Sequence, residues 1–206
     1  MRVLRTYYIF LFSSVVISQE NEVIKYEDLY ERNGLIYASD QDSSFNGTVN
    51  ENWPTGINKL SYTYKDGKPD SKWSDWFNNG QPKEEVEYSD GIKNGLHKQW
   101  YKNGQQKFER TYKNGIHDGK WTEWYENGQS MVEGNFLDGK PDGTWIYWYP
   151  NGQKREEGNP VSSDTSSLAF LNDGIWNYWH SNGQLKETGN FISGEKDGQW
   201  FEWHDN

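Results

Sequence analysis

The sequence predicts an all-β fold: an elongated antiparallel β-hairpin repeat that forms a single-sheet meander with a 24-residue period. Three observations predict it. A glycine following a turn-forming residue returns at Gly56, Gly80, Gly104, Gly128, Gly152 and Gly183, in steps of 24 except for the last, which is 31. All 12 tryptophans fall in one segment of the repeat, ten of them just ahead of one of these glycines and Trp200 and Trp203 in the same place of the last unit. Gly or Pro also interrupts the chain about every ten residues, and no stretch carries the spacing of an amphipathic helix.

Taken from the start, Arg2 and Arg5 precede an apolar run from Tyr7 to Ile17, followed by Ser18. A short basic region, an apolar stretch and a small residue read as a secretory signal peptide over residues 1–18. The run is shorter than the roughly 20 residues that cross a bilayer. The expected destination is therefore outside the cytoplasm: periplasmic, outer-surface or extracellular. Residues 19–47 read as an N-terminal cap, with Asn33-Gly34 turning between Tyr30 and the Leu35-Ile36-Tyr37 strand, and Phe45-Asn46-Gly47 leading into the first regular unit. Residues 48–206 are tandem repeats.

Within a unit the text is regular. Trp121-Thr-Glu-Trp124-Tyr-Glu-Asn-Gly128 is followed by Trp145-Ile-Tyr-Trp148-Tyr-Pro-Asn-Gly152. Trp73 and Trp76, Trp176 and Trp179, and Trp200 and Trp203 fill the same two slots; His97 and Trp100 fill them in one unit, Val49 and Asn52 in another. The second half runs through Lys and Glu to an aromatic three residues before another glycine, as at Tyr64/Gly67, Tyr88/Gly91, Tyr112/Gly115, Phe136/Gly139 and Phe191/Gly194. Asn-Gly between aromatic strands predicts a type I′ hairpin turn, because both residues tolerate positive φ. Asp-Gly-Lys-Pro-Asp-Gly predicts a second, longer connection. A lone hairpin is unstable, so units must stack and bury one another's aromatic faces. Roughly fourteen strands at about 4.8 Å give a sheet on the order of 65 Å long.

Two points stay open at this level. Residues three apart, such as Trp145 and Trp148, lie on opposite faces of a regular strand, unless a bulge brings them together. The expectation is one packed indole per pair and one partly exposed. Between Gly158 and Gly174 the spacing is 16, against 9 between Gly134 and Gly143, and the extra residues Pro160–Ser167 predict a flexible surface loop in an insertion at about 159–170.

The unit W-x-x-W-Y-x-N-G-Q-x(4)-G-x-F/Y-x-D-G-K-x-D-G, best seen at Trp121 to Gly143 and Trp145 to Gly158, resembles the MORN repeat variant family, which includes bacterial proteins grouped as YwqK-family antitoxins. The likeness covers roughly residues 30–206. It implies an elongated β-hairpin sheet, no catalytic residues, and scaffolding or association with proteins or membranes. His97 and Val49 in the first Trp slot, and the insertion after Asn159, depart from the pattern.

Composition narrows the function classes. Apolar residues are 33% and mean hydropathy is -1.11, which leans toward disorder; aromatics at 17% lean the other way, since each ring buries a large area. A net charge of -10, or -12 once Arg2 and Arg5 leave with the signal peptide, disfavours nucleic acid. With no Cys there is no disulfide, thiolate metal site or thiol nucleophile. His97, His117, His180 and His204 substitute for repeat aromatics or stand apart without metal-ligand spacing, and hydrolase, phosphate-loop and zinc motifs are absent. Asp66 with Asp70 and Asp138 with Asp142 fit turn chemistry better than a calcium loop. Glu84-Glu85 and Glu156-Glu157 fit solvated strand faces. A non-enzymatic, cofactor-free and metal-free protein-interaction scaffold follows, with Trp76, Trp100, Trp124, Trp148, Trp179 and Trp203 as its candidate aromatic binding face. A protein is the expected partner, with cell-wall polysaccharide or a membrane surface as alternatives, and an antitoxin or immunity role as a third class.

Overall fold

A computed structural model describes residues 24–39, 41–162 and 170–204. The expected signal peptide lies outside the described residues, as do residues 163–169 of the insertion. Among the described residues there is no α-helix, only a 3-10 turn at Tyr26–Asp28.

The chain opens with β1 (Leu29–Arg32) and β2 (Leu35–Ala38), a separate two-stranded sheet turned at Asn33-Gly34. The main sheet follows in chain order: β3 (Gly47–Asn52), β4 (Asn58–Lys65), the two-residue β5 (Lys68–Pro69), β6 (Ser71–Trp76), β7 (Pro82–Ser89), β8 (Ile92–Trp100), β9 (Gln106–Lys113), β10 (Ile116–Trp124), β11 (Ser130–Leu137), β12 (Lys140–Trp148), β13 (Lys154–Ser162), β14 (Phe170–Trp179), β15 (Leu185–Ile192) and β16 (Glu195–Glu202). Each strand pairs antiparallel with its neighbours in the chain, except that the short β5 pairs only with β4 and β6 pairs with β4 beyond it; no connection crosses over, so the 14 strands form one long meander.

The two turns exchange the roles read from sequence. At Asn79-Gly80 only the glycine has positive φ (85°); Gly80 N–H donates to Phe77 O at 2.9 Å and Phe77 N–H to Gln81 O at 2.8 Å. That is a type I turn closed by a glycine bulge, not type I′, and the same pair of bonds recurs at Gly104, Gly128, Gly152 and Gly183. The type I′ turn stands at the other edge. Asp66-Gly67, Asp90-Gly91, Asn114-Gly115, Asp138-Gly139 and Ser193-Gly194 have both φ positive and link strands by two residues only. The Lys-Pro-Asp-Gly segment expected to be a loop is strand β12 itself, with Gly143 at φ 69° where the register with β11 shifts. The reason is conformational economy: Asn in its αR position frees its amide to bond elsewhere, and Asp-Gly supplies two left-handed residues in succession.

The described ends of the insertion are strand, while the rest of the expected loop lies outside the described residues. Pro160, Val161 and Ser162 extend β13, and Val161 and Ser162 pair with Leu171 and Phe170. Phe170 turns back onto the sheet, with its ring 5.9 Å from Phe136 and 5.6 Å from Trp145.

Apolar burial lies on one face and is concentrated at two places, while the small polar Ser74 and Thr122 are buried on the other. Val132, Phe136 and Trp145 form one cluster, against which Trp121, Tyr147 and Phe170 pack. Ala38, Phe45, Val49 and Tyr64 form the other, where β2 and Phe45 cover the first strands. Elsewhere a single layer leaves most side chains half-exposed.

Candidate functional site

The first tryptophan of each pair faces inward. Trp145 shares its face with Tyr147, and Trp176 with Tyr178, two residues along the strand. Both indoles are only 2% exposed. Flat packing explains this where, among the described residues, no second layer covers the sheet. Gly134, Gly158 and Gly189 are extended rather than left-handed, yet a Cβ on any of them would stand 2.2 Å from Cδ2 of Trp145, Trp176 or Trp200. Each indole therefore lies directly on the glycine of the preceding strand. Where that glycine is absent the partner changes. Arg110 stacks its guanidinium 3.9 Å from the Trp121 ring centre, Tyr62 stacks on Trp73 at 4.3 Å, and Val86 faces the smaller His97. These covarying slots are one structural unit: a flat ring and whatever it rests on.

Two ladders hold the units in step. At the Asn-Gly edge, Tyr101, Tyr125 and Tyr149 donate their hydroxyls to the carbonyls of Trp124, Trp148 and Trp179 at 2.8–3.0 Å. Beside them, Asn103, Asn127 and Asn151 each accept from the following Gln N–H and donate Nδ2 to a carbonyl of the next unit. At the Asp-Gly edge, Gly91, Gly115, Gly139 and Gly194 donate N–H to Pro69, Lys93, His117 and Asn172 of the previous unit. The Asn-Gly ladder runs unbroken past the insertion, because the insertion joins the far ends of β13 and β14, at the opposite edge.

The second tryptophan of each pair points to the other face. The register shifts beside it because the partner strand carries an extra residue, as between Glu123 and Trp124 opposite β11, so the Trp strand itself keeps its alternation. Trp203 stacks on Phe201, and Lys154 lies 5.4 Å over Trp179 while pairing with Glu157. Both faces thus carry aromatics, which settles the alternative left open by the sequence. Trp76, Trp100, Trp124, Trp148 and Trp179 are half-buried and Trp203 is 44% exposed. In the Trp145/Trp148 and Trp176/Trp179 pairs the inward ring is buried and its mate partly exposed; in the Trp73/Trp76 and Trp121/Trp124 pairs both are half-buried.

Burial moves His117, Tyr147 and Tyr178 on the inward face away from neutral-pH titration. Burial, with the charges of Arg110 and Lys93, pushes His117 down to about 4, and its ring lies among Tyr112, Trp121 and Phe136. Burial and then Glu156 push Tyr147 up to about 12, and burial with Glu156 and Glu187 does the same to Tyr178. The bond from His97 lowers Glu84, at 2.7 Å; Lys93 Nζ stands 3.3 Å from the other ring nitrogen. His180 bonds to Trp203 O, the place taken by tyrosine in earlier units, and exposed His204 borders a polar hollow near β16. Among the described residues no three His, Asp or Glu side chains gather as metal ligands, and no helix is long and apolar enough to cross a membrane.

Comparison with protein families decides the relationship. The MORN repeat variant family matches at residues 69–90, 93–114, 118–138, 141–159 and 172–193, together just over half of the chain. The chain belongs to the MORN repeat variant family. Each matched MORN segment is one hairpin centred on an Asn-Gly turn, while β3–β4 and the whole of β16 lie outside the matched segments. Comparison with curated proteins finds no match. The inward glycine column was present in the sequence motif, but the reason for it, an indole lying on the backbone, emerges only from the strand register.

Proposed function

We propose that this MORN repeat protein is an exported, non-enzymatic binding scaffold that engages its partner through the outward tryptophan row. One observation carries the reading. The inward tryptophans already account for the packing of the sheet, yet a second indole per unit stands on the opposite face, partly exposed, in a row that runs the length of the array. Exposed aromatic rows that packing does not require are interaction surfaces. Burial keeps His117, Tyr147 and Tyr178 in their neutral forms, which suits packing and not proton transfer.

The test is a comparative capture experiment. Cell-envelope and secreted fractions are passed over the wild-type chain and over Trp124→Ala/Trp148→Ala, with folding of both checked by circular dichroism. A partner retained by the first and lost by the second supports the reading. Identical retention by both contradicts it.

The net charge of -10 favours a second reading, an immunity-type protein that binds a basic toxin. Co-expression with such a toxin would then restore growth, and a charge-reversing change on the toxin would abolish the rescue.

A further inference from the structure

We propose that the outward row binds a single extended chain of β-1,4-linked hexopyranose, laid along the sheet axis with one disaccharide per repeat. This rests on the scaffold reading above and names its ligand class.

Spacing is the first argument. Trp76, Trp100, Trp124, Trp148, Trp179 and Trp203 occupy the same slot in successive hairpins, and a hairpin is two strands wide, so neighbouring indoles are about 10 Å apart. A β-1,4-linked chain is nearly straight and flips alternate rings, so it offers the same apolar ring face once per disaccharide, over a very similar length. An α-1,4-linked chain coils and cannot keep that step.

The second argument is that the step is kept where the sequence period is not. From Trp124 to Trp148 the separation is 24 residues, and from Trp148 to Trp179 it is 31. In both cases the same tyrosine-to-tryptophan-carbonyl bond sets the advance, Tyr125 to Trp148 at 2.8 Å and Tyr149 to Trp179 at 3.0 Å. The insertion leaves this row in register.

Charge is the third. The chain is strongly acidic, but beside the row Lys72 pairs with Glu85, Lys98 with Glu109, Lys120 with Glu133 and Lys154 with Glu157. The strip is electrically balanced, which complements a neutral polymer better than a basic peptide. Gln106, Ser130 and Lys154, which pair directly with Trp100, Trp124 and Trp148, put hydrogen-bonding groups between successive indoles for ring hydroxyls. Because antiparallel sheets twist from strand to strand, the indoles are not coplanar. A single soluble chain, free to rotate at its linkages, can follow them; a flat crystalline glycan cannot.

The full chain is titrated calorimetrically with soluble cello-oligosaccharides and chito-oligosaccharides from disaccharide to octasaccharide, with a malto-oligosaccharide series as control. Affinity is expected to rise roughly five- to tenfold per added disaccharide, since each further contact is intramolecular, and the malto series should show no such rise. Equal rises in both β-1,4 series would assign recognition to the shared ring faces; a rise in one alone would name glucan or N-acetylated glycan as the source. Trp124→Ala/Trp148→Ala should remove the length dependence, and Trp148→Phe should keep most of it. Absence of binding by both β-1,4 series, or affinity that does not grow with length, overturns the proposal, whether or not the double variant folds. A protein captured by wild type and lost by the double variant, with neither series bound, overturns the glycan and leaves the scaffold standing.

Discussion

Replacing Gly158 with alanine tests the packing argument at a single methyl group. The added Cβ would stand 2.2, 2.4 and 2.6 Å from Cδ2, Cε2 and Cγ of Trp176, where ordinary contact begins near 3.4 Å. The contact atoms belong to the rigid root of an indole that is 2% exposed, so the ring must lift by more than an ångström. Overpacking of this kind costs about 1–3 kcal/mol, and full loss of the indole contact about 3–5 kcal/mol. Against that, alanine is intrinsically better than glycine in a strand by roughly 0.5–1 kcal/mol. The net expectation is destabilisation by about 1–3 kcal/mol, a fall in Tm of several degrees for a chain of this size. Urea and thermal unfolding followed by tryptophan fluorescence measure it. A second cycle isolates the cause: in a Trp176→His background the same Gly158→Ala change should cost much less, as Val86 opposite His97 shows that a side chain and a smaller ring coexist there. If Gly158→Ala is neutral or stabilising in the wild-type background, the flat-indole explanation of the glycine column is wrong.

Three further outcomes follow from the same geometry. His117 is held near 4 when folded and returns toward 6.5 when unfolded, so its neutral form is favoured by the fold; stability should be full above pH 6.5 and decline as pH falls from 6.5 toward 4, by no more than about 3 kcal/mol, and His117→Phe should flatten that part of the profile in pH-dependent unfolding. Tyr125→Phe deletes one hydroxyl that donates to Trp148 O and should cost about 1 kcal/mol, whereas Asn127→Ala removes both a turn bond and an inter-unit bond and should cost about twice that, both read by chemical denaturation. Trp121→Ala, at the centre of the inward cluster, should lose about 3–5 kcal/mol, and Trp124→Ala markedly less; equal losses would mean that the two faces share the packing.

How much of this was legible in the sequence depends on the kind of regularity. The repeat, its strand count and the aromatic slots were readable because Trp, Tyr and Gly recur at fixed positions whatever the local geometry. Turn types were not, since Asn-Gly and Asp-Gly both tolerate positive φ, and which becomes the tight turn is decided by where the ladder places its bulge, beside Lys83, Lys107, Met131 and Arg155. Pro160 looked like a loop residue, yet the strand extends past it because Val161 and Leu171 find each other across the insertion. The candidate face Trp76 to Trp203 was chosen on spacing alone; its outward orientation follows from alternation that the bulge could have overturned, and did not, because the extra residue sits on the partner strand.

Small-angle X-ray scattering of the chain lacking residues 1–18 tests the central claim most directly. A single sheet of consecutive hairpins predicts a flat, elongated particle about 65 Å long and about 28 Å wide, its length set by roughly 4.8 Å per strand and its width by about 3.3 Å per residue of strands that are mostly eight or nine residues long. A compact particle with a radius of gyration near 17 Å, the value for a globule of about this many residues, would contradict it.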